Sequence, residues 1–432
     1  MSKTLYICYF GVREPLVQTQ VIPYLREISK SGIKVSLLTF EPNPKEKWTA
    51  QQIEEEKTKF TAKGIEWHCL SYHKWPSAIA TAYDVFRGAW FIRRLIGKER
   101  IDILHGRVHI PTLMGALARK FSRHKPKLLF DIRGFFPEEY TNAGVWPENG
   151  WLYRSAKRVE KWLLKESDGF VVLTEKAREI LFGEREKGRR GDTETRGHGD
   201  TEKAPVATAP GTDRLGRPVE VIPCCVDLNK FAVANGESRS LMRKELGVED
   251  RKVIAYVGSF GGWYMTTEML DFFVASRERD PKTFVLILTQ RDKEKVVENL
   301  LARGFGRQDF FVGSVAPTEV PRYLAAADIA LSFIKACYSK QSSSPTKIAE
   351  YLACGLPIVA NRGVGDVDQL IERNGVGVLI DDFTQESYVS ALKQIDELGN
   401  ISEKCRETAV REFDLERIGG ERYRLIYNEL LK

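Results

Sequence analysis

The chain has no apolar run of the ~18 residues that a helix needs to span a bilayer, so its 432 residues do not read as an integral membrane protein built from helices. Cysteine is sparse. The 7 that occur, Cys8, Cys69, Cys224, Cys225, Cys337, Cys354 and Cys405, are odd in number and form no paired C-x-x-C units. That argues against structural zinc and against a disulfide framework, and for reduced thiols. There is no dense basic stripe with interleaved aromatics, so the net charge of +7 is not read as a nucleic-acid surface. It favours a smaller anionic ligand such as a nucleotide, or an anionic membrane surface. No G-x-G-x-x-G opens a sheet, which argues against a dinucleotide oxidoreductase. No D-x-D pair stands at a suitable strand end, so no metal is expected. The start, MSKTLYICYFG, lacks the layout of a secretory leader and runs straight into a strand. The expected location is the cytoplasm, with its membrane face as a variant of that reading.

What the sequence does contain is a rhythm. Short aliphatic or β-branched runs at 4–10, 34–40, 101–105, 127–132, 169–174 and 219–223 read as buried strands, all but the last followed by a helix-like stretch. A second set lies at 252–258, 283–289, 309–314, 328–334, 356–361 and 376–380. This is the pattern of α/β chains with parallel sheets covered by helices on both faces. Two doubly wound, Rossmann-like units are expected: 1–232, then 233–410, with a helix at 411–432 crossing back to the first. Residues 184–217 interrupt the rhythm. They are rich in Gly, Pro, Thr and charge, carry G-D-T-E twice, and read as a disordered insertion.

The segment SSSPTKIAEYLACGLPIVANRGVGD (342–366) is the most informative stretch. Ser344 suits an N-cap and Pro345 the first helical position. Ile348, Tyr351 and Leu352 lie at i, i+3 and i+4 and form one buried stripe. The helix follows a loop at the carboxyl end of a strand, the edge at which open α/β sheets bind ligands. Free N–H groups at its start suit a phosphate, and Lys347 adds charge. Glu350, one turn and about 5 Å deeper, can accept both hydroxyls of a ribose. The competing reading is a capped surface helix with a solvated Lys and Glu.

PTKIAEYLACGLPIVAN resembles the donor-site helix of the retaining glycosyltransferases of family 4, which have the GT-B fold of two Rossmann-like domains facing a cleft. VIPCCVDLNKF (221–231), YVGSFGGW (256–263), APTEVPRYLAAADIALSF (316–333) and REFDLERIGGERYRLIYNELL (411–431) resemble further family segments in the same order. The resemblance implies that the second domain binds a nucleoside-diphosphate sugar, which is the donor substrate and not a cofactor. The first domain would then bind the acceptor, a sugar or lipid-linked glycan. It implies cell-surface polysaccharide or glycoconjugate synthesis. Glu350 matches the second Glu of the family's E-x7-E motif; the first is replaced by Ser342, with Gln341 and Ser343 as nearby substitutes. The usual Arg and Lys of the diphosphate loop are absent from SFGGWYMTTE, which leaves Lys347, Ser344, Thr346 and the backbone at Gly258, Gly261 and Gly262 to hold the anion. In RGVGD, Gly365 allows a tight turn, and Asp366 either meets sugar hydroxyls or caps the next helix.

In the first domain, Gly11 ends the first strand in a loop that the resemblance brings toward the donor phosphates. His105, Arg107, His109, Asp131, Arg133, Glu138 and Glu139 gather at strand ends. The candidates for chemistry are Arg107 and Arg133 against an anion, His109 as a proton acceptor, and Asp131 with Arg133 where better-known members have a His; structural histidines are the alternative. Two helical stretches, 79–95 (Ile79, Tyr83, Phe86, Trp90 on one face) and 151–165 (Leu152, Ala156, Val159, Leu163), are basic and amphipathic. Each either faces the core or touches a membrane. A non-catalytic nucleotide-sugar binder and a nucleotide-sugar epimerase or hydrolase remain as competing functions.

Overall fold

A computed structural model describes residues 2–42, 48–75, 77–183 and 210–432. The chain forms two compact units. The first comprises Met1–Pro137, Trp146–Pro223 and Leu415–Lys432; the second comprises Glu138–Val145 and Cys224–Asp414. The boundaries differ from the expected 232 and 410. Pro223 closes the first unit because Tyr24 donates its hydroxyl proton to the Pro223 carbonyl at 2.8 Å. Val226 belongs to the second because it bridges Asp414 and donates its N–H to the Phe413 carbonyl at 2.9 Å.

In the first unit β1 (Lys3–Ile7), β2 (Lys34–Pro42), β3 (Ile65–Tyr72), β4 (Ile103–Arg107), β5 (Lys127–Ile132), β6 (Gly169–Val172), β7 (Gly211–Thr212) and β8 (Pro218–Val221) make one sheet. Its order is β3-β2-β1-β4-β5-β6-β8-β7. Every neighbouring pair is parallel except β7 with β8. In the second unit β9 (Lys252–Val257), β10 (Thr283–Leu288), β11 (Phe310–Gly313), β12 (Ile329–Ser332), β13 (Ile358–Asn361) and β14 (Gly377–Ile380) are all parallel, in the order β11-β10-β9-β12-β13-β14. These are the doubly wound sheets expected from the aliphatic runs. The runs are buried because helices cover both faces: Leu5, Ile7, Leu104, Leu128 and Phe170 lie in one cluster of the first unit, and Ile254, Val285, Leu331 and Val359 in one of the second.

Two strands were not anticipated. β3 (IEWHCLSY) is an edge strand whose Glu66, His68 and Ser71 dilute the apolar signal. β7 falls within the stretch read as an insertion, so that reading is corrected for 210–217: Gly211 pairs with Val219, and a turn at Asp213–Arg217 closes the hairpin. Residues 184–209 of that stretch lie outside the described residues. Among the described residues, no helix is long and apolar enough to cross a membrane.

The order reverses direction at β1/β4 and again at β9/β12, so each sheet opens a crevice at the carboxyl ends of those strands. In the first unit Gly106 lets the helix His109–Lys120 fold back against β4: a Cβ at Gly106 would stand 2.5 Å from the Thr112 Cα. Backbone cannot yield as a side chain can. Gly106→Ala is therefore expected to destabilise the first unit by about 1–3 kcal/mol or more, read as an earlier urea transition with unchanged slope.

Candidate functional site

In the second unit the carboxyl end of β9 runs into Gly258, whose φ of +144° is open to glycine but strained for any other residue. The same position faces a lysine: a Cβ on Gly258 would lie 2.8 Å from Lys347 Nζ. Lys347 belongs to the helix Thr346–Ala353, which follows β12 across the crevice. Tyr351 on that helix fixes its placement. Its hydroxyl accepts the Val257 N–H at 2.8 Å and donates to the Leu331 carbonyl at 3.3 Å, joining the ends of β9 and β12.

Lys347 is buried, and its ammonium has no carboxylate within ion-pair distance among the described residues. It donates to the Tyr256 hydroxyl at 3.2 Å and lies 4.3 Å and 4.2 Å from the ring centroids of Tyr256 and Tyr264. Burial lowers its pKa to about 7, against a smaller upward pull from Glu350. Burial likewise raises Glu350 to about 7, opposed by Lys347. The Glu350 carboxylate is half-buried, and no side chain or backbone group among the described residues bonds to it. Beside them the loop after β9 turns through Gly261 (φ +77°) and Gly262 (φ +61°), with open space where a Cβ would stand. The predicted residues Gly258, Gly261, Gly262, Thr346, Lys347 and Glu350 thus lie on the two elements flanking this crevice. Tyr256 and Tyr264, which hold the lysine, were missed; the aromatics of YVGSFGGWY were the available signal.

The cap is a correction. The helix starts at Thr346 with Pro345 in the cap position and no side-chain cap bond. Ser344 instead accepts the Cys224 N–H at 3.1 Å. Its hydroxyl is spent on the chain entering the unit, and the helix N-terminus stays uncapped. Ser342 is buried and donates to the Ser339 carbonyl at 2.8 Å, within a short 3-10 turn. Gln341 reaches the Gly363 carbonyl at 3.1 Å. Lys340 pairs with Glu139 at 3.0 Å and covers the Trp263 ring at 4.2 Å, while its carbonyl accepts the Gly365 N–H at 2.9 Å. Asp366 occupies the cap position of the helix Val367–Asn374 without a side-chain cap bond. Asp368 accepts the Gly363 N–H at 3.1 Å on each oxygen.

The first unit places Arg107, His109, Asp131 and Arg133 in contacts with other protein groups. All four side chains are buried. Asp131 lies 2.7 Å from Arg133 Nε, 3.3 Å from His105 Nε2 and 3.9 Å from Arg107, and it accepts the Tyr423 hydroxyl at 3.2 Å. Tyr427 meets His105 Nδ1 at 2.9 Å. Burial alone would raise the Asp131 carboxyl, but Arg133, His105 and Arg107 hold it well below the usual range. This network ties the C-terminal helix Glu421–Leu431 to β4 and β5. His109 meets Glu160 at 3.0 Å between Phe130 and Phe136. Gly11 is small because Glu41 lies behind it: a Cβ there would meet Glu41 Oε2 at 2.8 Å. Among the described residues one trio, Glu66, His68 and Glu99, has metal-ligand spacing. It sits near the amino end of β3, away from the carboxyl-end crevice, and Lys34 already pairs with Glu66 at 3.0 Å.

Residues 17–191 match the model of the glycosyl transferase 4-like domain, and residues 238–412 that of glycosyl transferases group 1. These are the two domains of a GT-B glycosyltransferase. Solved structures share the fold of this glycosyltransferase over both whole chains. A glycosyltransferase from Rickettsia africae is 14% identical with a TM-score of 0.68, covering 100% of this chain and 99% of that one. Sucrose-phosphate synthase from Thermosynechococcus elongatus is 14% identical with a TM-score of 0.69, covering 100% and 99%. Anabaena HepE, solved with UDP, is 14% identical with a TM-score of 0.65, covering 99% and 100%. None of the curated proteins matches the chain in sequence.

In the glycosyltransferase, Asp131 is the one acid among the described residues that pairs with His105, Arg107 and Arg133. Asp131→Ala leaves two buried guanidiniums without a counter-ion and is expected to cost about 3–5 kcal/mol. Chemical denaturation followed by near-UV circular dichroism measures this loss.

Proposed function

We propose that this glycosyltransferase moves a sugar from a nucleoside-diphosphate sugar to an acceptor hydroxyl, with retention, in the cytoplasm. The observation that carries the reading is Lys347: a buried ammonium without an ion pair among the described residues, at a helix start with no side-chain cap, facing a glycine turn. A diphosphate fits that environment, since backbone N–H groups and the lysine supply complementary charge. Glu350, whose carboxylate has no hydrogen-bond partner among the described residues, would then accept the ribose hydroxyls one turn deeper. As the bond to the sugar breaks, negative charge grows on the departing diphosphate. Lys347 and the helix start neutralise it, so the step is proposed to need no metal. The HepE structures with UDP and with UDP-glucose support this class of donor. WaaG, 15% identical with a TM-score of 0.63, is described as a glycosyltransferase of lipopolysaccharide biosynthesis. It supports a sugar or lipid-linked glycan as acceptor in polysaccharide or glycoconjugate synthesis.

One observation favours the runner-up, a non-catalytic binder of nucleotide sugars. Ser342 replaces an acid and turns its hydroxyl into its own loop, leaving the transferred sugar one contact poorer. Product analysis separates the readings: transfer to an added acceptor, hydrolysis or isomerisation without one, or neither.

Melting temperatures with UDP, GDP, ADP and their sugar conjugates test the donor site. One base is expected to stabilise by ~2.7 kcal/mol at a hundredfold excess over its Kd. Glu350→Ala and Lys347→Ala should each weaken that binding roughly 10- to 100-fold, the range for bonds to charged groups. A shift that survives both substitutions would place the nucleotide elsewhere.

A further inference from the structure

The first unit contains a helix, Ser77–Glu99, that is apolar on two opposite faces. One face, with Val85, Ile92, Leu95 and Ile96, packs into the core. The other carries Ile79, Tyr83, Phe86 and Trp90 at i, i+4, i+7 and i+11, and Trp75 just before the helix adds to it. These five side chains are between 51% and 80% exposed. A surface helix ordinarily turns polar residues outward. Four large apolar groups in line, three of them aromatic, form a contiguous patch of the kind that marks an interaction site. The helix Trp151–Glu166 provides the contrast: Val159, Leu163 and Leu164 pack against the same core, so its apolar face is occupied.

The charge around the stripe has one sign. Arg87 and Arg94 lie over the Tyr83 and Trp90 rings at 5.6 Å and 4.3 Å. Arg93 and Lys98 are exposed beside them, and Lys74 precedes the helix. None of these five forms an ion pair among the described residues. Asp84 is the one acid between 77 and 98, and it is turned inward. Its oxygens accept the Tyr9 hydroxyl at 2.7 Å and the His73 N–H at 2.9 Å, and contact the His73 ring at 2.6 Å. The exposed face therefore offers aromatic and aliphatic groups inside a cationic border with no carboxylate.

We propose that this face docks on an anionic lipid bilayer, the helix lying along the surface. Tyrosine and tryptophan favour the headgroup region. Apolar burial and attraction to anionic lipid act together on such a helix. The helix is about 35 Å long at 1.5 Å per residue but does not qualify to cross a membrane, so it lies on the bilayer. A second copy fits poorly: a symmetric contact through the stripe sets arginines against arginines. The inference rests on no property of the nucleotide site.

Flotation of the whole protein with vesicles tests it, using phosphatidylcholine alone or mixed with phosphatidylglycerol. Wild type should float with the anionic vesicles and release at high salt. Phe86→Glu with Trp90→Glu should abolish flotation, and Arg93→Glu with Arg94→Glu should weaken it at least fivefold, the loss expected for removing one surface cation. The residues are exposed, so melting temperatures should match wild type. Independently of any variant, brominated phosphatidylglycerol should quench wild-type tryptophan emission. Absence of flotation and quenching, or flotation equal in wild type and both variants, overturns the proposal. So does a lipid-free dimer that the Phe86/Trp90 variant dissolves, which would assign the face to a second copy.

Discussion

An ammonium buried behind a glycine is the constraint around which the candidate site of the second unit is built. Removing such a charge from water without a counter-ion is unfavourable. The chain offsets part of that with two tyrosine rings and one hydroxyl. The rest of the local geometry follows. Gly258 must lack a side chain, because the lysine occupies its space. Tyr351 must reach both β9 and β12, because it sets the helix that carries the lysine. The helix start stays without a side-chain cap, because Ser344 is bonded to Cys224. Each of these choices leaves positive potential unsatisfied at one place, the form a preorganised anion site takes.

The first unit treats buried charge in the opposite way. Two arginines, a histidine and an aspartate converge on the ends of β4 and β5, and tyrosines from the end of the chain complete them. There the opposite charges are present in the same cluster, and the result is a clasp for the last helix. The two clusters show why charge at a strand end is not by itself a sign of chemistry. What distinguishes them is whether the counter-charge is already in the protein.

That distinction also marks what was legible in the sequence. The strands stood out because a buried parallel strand is aliphatic on both faces; β3 escaped because an edge strand tolerates Glu66, His68 and Ser71. Lys347 and Glu350 could be read from spacing on one helix, since i and i+3 share a face. The partners of Asp131 and His105 could not, because Tyr423 lies 292 residues from Asp131 and Tyr427 lies 322 residues from His105 in sequence, and nothing in the local pattern announces them. The apolar stripe Ile79, Tyr83, Phe86 and Trp90 of Ser77–Glu99 was visible as periodicity; the opposite apolar face was missed. Only the fold shows which face the core takes.

Protons report on the second unit's site directly. In the free protein Lys347 is depressed and Glu350 raised, both to about 7. For Glu350 the sign is that stability is full below its unfolded value and is lost as pH rises to about 7; for Lys347 stability is withheld below about 7 and recovers toward its unfolded value. The pair is least favourable near neutrality, and the donor proposed above would relieve both groups by restoring their charged forms. The decisive measurement is the calorimetric titration of the donor sugar nucleotide in buffers of differing ionisation enthalpy, at about pH 6 and about pH 8. The account predicts net proton release at the lower pH, from Glu350, and net uptake at the higher, by Lys347, with the uptake lost in Lys347→Ala. No proton linkage at either pH, or the reverse signs, would contradict it.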